Sequence, residues 1–481
     1  KDFLLQSFNT AQIGERTKGD GASTTVLQLI QWSGSALLTD RKLDPAARLE
    51  LLTALGELQR INGLTEQADQ LQVEALDVSR QLYGERSEKY AYAMVERATN
   101  LPQLGRREES NQLFDEAIAL MEQAGLQHTE SYPFALWMRG VNAYSANRLD
   151  EALALFERAE SACRKHRPTD PVHASTLQWQ ANVHQLRDRF DAAEAALERS
   201  IPLARASDRP EQGEGLARLY LGDMQLRRGQ YAEALLEYEG ALQLMRETDA
   251  GGRNPDLAVL LSNASRARYE TGERDAALSD VNAALDIARH HPAAEPGRSL
   301  EDRARVALLA LHVSEADAGP ALTLAHELDS HWPSGSSSAP YATLQTLLAE
   351  AELLGGQTQA ARLAAERAVA IREAADADTL VARQARLVLA EVQERAADPA
   401  AQENYRRVLL PAHADAAAPA APARTLQRAR ALAGLARLAK TSDPRAALQN
   451  AREGLTLLAE PRYASERRVA EQLHELETSL R

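Results

Sequence analysis

Residues 221–241 read LGDMQLRRGQYAEALLEYEGA. Three small residues punctuate the stretch: Gly222 lies seven before Gly229, Ala234 five after it, and Ala241 seven further on. Between them stand Leu, Arg, Gln and Glu, which are strong helix formers. Gly229 with its polar neighbours is a turn signal. The stretch therefore reads as the end of one helix, a tight turn and a second helix running back. Small side chains at those three places let the two helices approach to about 8–10 Å.

The same arrangement recurs along the chain. Turn motifs stand at Asn62-Gly63-Leu64, Leu104-Gly105-Arg106, Ala146-Asn147-Arg148, Arg187-Asp188-Arg189, Arg228-Gly229-Gln230, Thr271-Gly272-Glu273 and Gly355-Gly356-Gln357. Successive spacings from Gly63 are 42, 42, 41, 41 and 43, then 84, twice the period. The skipped turn is expected near Ser314, and later ones at Asp398-Pro399 and Thr441-Ser442-Asp443. Ala68, Ala152, Ala193, Ala277 and Ala361 repeat the place of Ala234, while Ala75, Ala117, Ala159, Ala284 and Ala368 repeat that of Ala241. Phe114, Phe156, Leu197 and Tyr238 are expected to fill the space between each second helix and the next unit. A fixed period of this length marks stacked supersecondary units.

This pattern resembles the tetratricopeptide repeat over roughly residues 45–460, in the 42-residue form found in kinesin light chains and bacterial regulators. The resemblance implies an all-α, right-handed superhelical solenoid of about ten helix pairs. Repeats one to seven are expected over 45–332, and repeats eight to ten with a C-terminal cap over 341–481. A loop, Pro333 to Pro340, separates the two, and an Ala-Pro stretch from Pro411 to Pro422 precedes repeat ten. Residues 1–44 fall outside the period, with an amphipathic capping helix expected from Thr24 to Leu38.

A second resemblance rests on Phe3-Leu4-Leu5 with Phe8, then Ser23-Thr24-Thr25-Val26-Leu27, then Leu49, Leu51, Leu52, Leu55 and Gly56. This order is similar to the segment that follows the membrane helix in bacterial transmembrane Ser/Thr protein kinases carrying tetratricopeptide repeats. The chain departs from that pattern at Leu82-Tyr83-Gly84-Glu85-Arg86-Ser87. The resemblance implies a sensor region outside the cytoplasmic membrane, in the periplasm, with the kinase domain upstream. With no Met at Lys1 and no signal-peptide pattern, the chain is expected to be a piece of something longer. The membrane would then be reached only through an upstream anchor, and dimerisation of the helix ending near Phe8 is one route for a signal. A cytoplasmic scaffold or a regulator's interaction domain is the alternative.

Composition narrows the chemistry. A net charge of −14, with the charges mixed along the chain, offers no basic stripe for nucleic acid or anionic lipid. Cys163, the one cysteine, permits no internal disulfide. Cys163, His166 and His173 are too few for a closed zinc site, and His184 lies too far along a helix to join them. No phosphate-binding Gly loop, H-E-x-x-H, H-R-D or D-F-G is present, so no metal, cofactor or catalysis is expected of this chain.

Function is therefore sought on the concave face, formed by the first helix of each pair. Counting back from the turns of repeats three to six selects Phe134, Trp137, Gln178, Asn182, Asp223, Asn263 and Arg266 as groove candidates. Asn and Gln offer both donors and acceptors to a peptide backbone, and Arg pairs with a carboxylate. Trp137 and Trp179 also suit packing between repeats. A protein or extended peptide is the expected partner.

Overall fold

The computed structural model describes residues 26–39, 42–206, 210–248, 254–291, 299–333, 335–411 and 421–481. Residues 1–25, which carry Phe3 to Phe8 and Ser23 to Thr25, lie outside the described part, as does most of the Ala-Pro stretch.

The turns come first, because they set the register. Residues 63, 105, 147, 188, 229, 272, 316, 356 and 397 all have φ between 53° and 100°, the left-handed region. In each case the next residue's N–H bonds back five positions, as in Leu64 to Gln59 at 2.8 Å, Gln230 to Gln225 at 2.9 Å and Asp398 to Gln393 at 2.8 Å. This is the Schellman arrangement, which satisfies carbonyls that a helix end leaves open. The turn expected near Ser314 has its left-handed residue at Ala316, and that expected at Asp398-Pro399 has it at Ala397. The tenth turn differs: Asp443 N–H bonds to Ala439 O, and none of Thr441, Ser442 and Asp443 is left-handed.

Between turns, side-chain caps start several helices. Asp44 accepts from Ala46 N and Ala47 N, Asn254 from Asp256 N, and Thr379 from Ala382 N. Such caps satisfy N–H groups that the helix leaves unpaired. No strand occurs among the described residues, and the helices pack in consecutive pairs.

The chain separates into two compact units, Lys1–Gln180 and Ala181–Arg481. The first unit holds α1 (Val26–Thr39), then the pairs α2 and α3 (Pro45–Ile61, Thr65–Tyr83), α4 and α5 (Glu88–Asn100, Arg107–Gln123), and α6 and α7 (Ser131–Ser145, Leu149–His166). The unit boundary falls within α8 (Pro171–Leu186). The second unit continues with α9 (Phe190–Arg205), α10 and α11 (Pro210–Arg228, Tyr231–Thr248), and α12 and α13 (Pro255–Thr271, Arg274–Ala288). There follow α14 and α15 (Leu300–Ser314, Ala318–Ser330), α16 and α17 (Ala339–Leu354, Thr358–Asp376), and α18 and α19 (Leu380–Arg395, Ala400–Leu409). Last come α20 and α21 (Pro422–Ala439, Pro444–Leu457) and α22 (Ala464–Leu480). Helix α16 takes up Ala339 and Pro340, which the sequence placed in the loop; a proline is tolerated in a first turn, where its N–H would be unpaired anyway.

The periodic alanines sit where two helices meet: Ala68, Ala152, Ala193, Ala234, Ala277 and Ala361 are all fully buried. Phe156 and Tyr238 do more than bridge to the next repeat. A Cβ on Gly140 would stand 2.5 Å from Phe156, and one on Gly222 2.6 Å from Tyr238, so each ring lies against the small residue of its own pair. Helix α1 caps the first unit: Leu37 packs with Leu49, Leu52, Leu55 and Leu71, and Gln59 Nε2 donates to Ile30 O at 3.1 Å. In the second unit α22 buries Val469, Ala470 and Leu473 against Ala429, Ala433 and Ala451.

Candidate functional site

In the first unit Phe134 and Trp137 lie on α6 with ring centroids 5.6 Å apart. Trp137 is half-buried, and its indole Nε1 is enclosed without a hydrogen-bond partner. Gln178 is buried. Trp179 meets Tyr144 edge-on at 5.0 Å and lies 6.1 Å from Phe156, so it serves the contact between repeats three and four. Cys163 is buried, and burial pushes its thiol up to about 12. His173 Nδ1 is 2.9 Å from Pro168 O. No cluster of metal-ligating side chains occurs among the described residues.

In the second unit two of the candidates are joined. Asp223 Oδ1 accepts from Tyr238 OH at 2.8 Å and from Asn263 Nδ2 at 2.7 Å, tying α10 to α11 and α12. Burial pushes the Asp223 carboxyl above its ordinary range, and the two donors, then Arg303 and Arg227, act against that rise. Asn182 is half-buried on α8. Arg266 is exposed to solvent, and Tyr231 first, with Glu270 and Glu350, raises its pKa further above the ordinary arginine value.

Glu350 belongs to α16, and an ionic ladder from the later repeats surrounds it. Arg430 reaches Glu391 at 2.9 Å and Glu350 at 3.7 Å, while Gln384 Nε2 lies 3.4 Å from Glu350. The second unit thus has a polar wall in which Asn263 is bonded to Asp223, and Arg266 lies within electrostatic reach of Glu350, itself beside Arg430 and Glu391.

At the turns the second unit meets itself. Asp188, the left-handed residue of repeat four, accepts the Leu380 N–H at the start of α18 and stands 3.8 Å from Arg424 and 3.7 Å from Arg227. A Cβ on Gly229 would lie 2.6 Å from Ala423 N, at the start of α20. Tyr231 and Tyr463 stack edge-on at 4.8 Å, Ser465 N donates to Glu270 at 2.9 Å, and Arg468 lies 3.3 Å from Tyr269 OH. The turn edge of repeats four to six is therefore covered by the starts of α18, α20 and α22. Periodicity carries no trace of this, since Asp188 and Gly229 serve the repeat in any case. One signal was available: Tyr463 is one of only two aromatic residues after Tyr341, and an isolated aromatic near the end marks a contact.

Paired helices with Schellman turns at a nearly constant interval define a tetratricopeptide-like repeat protein. Among solved structures the chain is similar to the apo form of RapI, with 14% identity over 74% of this chain and 95% of that one, at a TM-score of 0.51. Less similar overall are a kinesin-light-chain repeat protein of Podosopora anserina (17% identity, 43% and 99% covered, TM-score 0.36) and BtubC from P. vanneervenii (18%, 56% and 96%, 0.32). At these identities the likeness is one of fold. No protein-family model matches the sequence, and no curated protein matches it closely.

Proposed function

We propose that the chain is a docking module that holds a partner protein or extended peptide and performs no catalysis itself. Within the second unit the partner would lie along the inner wall beside Asn182, Asn263 and Arg266. The observation that carries this reading is the state of Arg266. Its guanidinium is exposed to solvent one helical turn from Asn263, whose amide is already held by Asp223. Such a group is ready for a carboxylate without further ordering. Phe134 and Trp137 provide a separate aromatic contact in the first unit. The test is selection of binders from a displayed random-peptide library on the purified chain. Arg266→Glu with Asn182→Ala and Asn263→Ala is expected to abolish recovery of the selected peptides while far-ultraviolet circular dichroism stays unchanged. Undiminished binding by that variant would overturn the assignment.

The setting we infer is the outside of a bacterial cytoplasmic membrane, as the sensor region of an anchored Ser/Thr protein kinase. The support is the likeness of residues 1–85 to the segment after the membrane helix in such kinases. A reporter active only in the periplasm, fused after Arg481 of the intact protein, is expected to be active. Activity of a cytoplasm-only reporter at the same place would refute it.

A further inference from the structure

An open pocket of about 240 Å³ lies in the first unit, between the first helices of repeats one and two, apart from every groove candidate. Leu49, Glu50 and Glu57 line it from α2, Tyr83 from the end of α3, and Lys89 and Tyr92 from α4. Glu50, Glu57, Tyr83 and Tyr92 are all exposed, Tyr83 at 46% and Tyr92 at 36%. One open pocket thus brings two tyrosine rings together with two carboxylates, which bears on what it could hold.

The charge around the pocket answers in part. Burial first, then Glu96, Glu57 and Glu130, hold the Tyr92 phenol well above the usual tyrosine range, with Arg60 acting against them. Glu96 has Oε2 buried without a hydrogen-bond partner; burial raises its carboxyl, opposed first by Arg60 and also by a hydrogen bond with Tyr92. Among the described residues neither Glu50 nor Glu57 makes an ion pair. Lys89 on the rim is the one cation in the lining, and it too is left without an ion pair. An apolar floor at Leu49, two tyrosine rings and free carboxylates at the mouth suit a long side chain with a cationic end. The stem packs on the floor, while the cation meets ring faces and carboxylates.

We propose that this pocket binds a lysine or arginine side chain presented by a basic segment of a partner protein. The proposal rests on the reading of the chain as a docking module, but not on the inner wall of the second unit. The charge complementarity is local: Glu50 and Glu57 line the pocket, with Glu96 and Glu130 around Tyr92, against Lys89 and Arg60.

The probe is a fluorescein-labelled Gly-Ser peptide carrying two spaced lysines, with its acetyl-lysine counterpart, measured by fluorescence anisotropy on the full chain at low ionic strength. The lysine peptide is expected to bind at least about five-fold more tightly than the acetylated one. Glu50→Gln with Glu57→Gln, and separately Tyr92→Leu, are expected to weaken it by a similar factor. Glu453→Gln, on an exposed face of α21 in the second unit, removes the same kind of charge and should leave binding unchanged. Equal binding of the two peptides, or an equal loss with Glu453→Gln, would show only diffuse attraction to an acidic protein and overturn the proposal. Since Tyr92→Leu leaves the net charge untouched, its retention of full affinity would overturn it as well. A failure of the second-unit variants to lose their selected peptides leaves this result standing, so the two readings fail separately.

Discussion

Gly63 and Gly229 hold the same place in their repeats and the same backbone, with φ of 76° and 86°. Their surroundings differ. An added Cβ at Gly63 meets nothing within 4 Å, whereas at Gly229 it stands 2.6 Å from Ala423 N. The first turn answers only to its own helix pair. The second also carries the surface on which a later helix begins, and its neighbours Asp188 and Tyr231 do likewise. A residue chosen once for a left-handed turn has acquired a second constraint wherever the solenoid touches itself. The turns of repeats one and two, which lack such contacts, show what the repeat alone demands.

Substitutions at the covered edge should therefore cost more than the same changes at the open one. The largest effect is expected at Asp188, whose side chain is 4% exposed and which faces Arg424 at 5%. Asp188→Ala removes the acceptor for Leu380 N–H and the carboxylate that faces Arg424 and Arg227. A loss of about 3 kcal/mol is expected in urea denaturation. Faster hydrogen exchange at the Leu380 amide would locate the damage, and an unchanged exchange rate would show that the contact is not closed in solution.

Next comes the matched pair of glycines. Gly63→Ala pays only for a left-handed alanine, about 1 kcal/mol. Gly229→Ala adds the collision with the α20 backbone, for about 2–4 kcal/mol in all. Equal losses would break the comparison, because they would mean that Gly229 is as free as Gly63.

A smaller effect, and one tunable by acid, sits inside the second unit. Glu214 on α10 takes Arg205 at 2.6 and 2.7 Å and Arg218 at 3.0 Å, and Arg205 above all holds its carboxyl down at about 2 from an ordinary 4.5. A depressed carboxylate contributes stability that is complete above its unfolded value and is lost as pH falls through the folded one. The link between α9 and α10 should therefore weaken between about pH 4.5 and 2. Glu214→Gln should flatten that limb of the melting temperature against pH, and an unaltered limb would exclude Glu214 as its source.

How far the sequence spoke for the structure follows the same division. Glycine, asparagine and aspartate at turns announce themselves, since each tolerates the left-handed region, and Ala234 and its equivalents announce helix crossings. The contacts of Asp188 with Leu380, or of Tyr269 with Arg468, join residues nearly two hundred apart, and no local pattern encodes them. Of the groove candidates, Asp223 and Asn263 are brought together, but counting from turns could not show that the acid would be shared with Tyr238. The pocket at Tyr92 was invisible for a related reason. Its character comes from acids on α2 and α4 together with Tyr83 from α3, and the period describes helices one pair at a time.

The smallest effect tests the turns that the sequence marked least clearly. Ala316 and Ala397 lie at φ of 58° and 54° although neither is a residue that favours that region. For an L-residue with a Cβ the left-handed conformation costs roughly 1–2 kcal/mol, which the Schellman bonds of Asp317 to His312 and Asp398 to Gln393 must outweigh. Glycine would remove that cost but would loosen the unfolded chain by about 0.5–1 kcal/mol. Ala397→Gly is therefore expected to stabilise the chain by up to about 1 kcal/mol, with Ala316→Gly alike. Gly356, at φ of 76° between them, provides the reverse experiment: Gly356→Ala should cost what the others gain. A destabilised Ala397→Gly would mean that the alanine methyl makes contacts worth more than its strain, and the turn of repeat nine would then be held by packing rather than by backbone geometry.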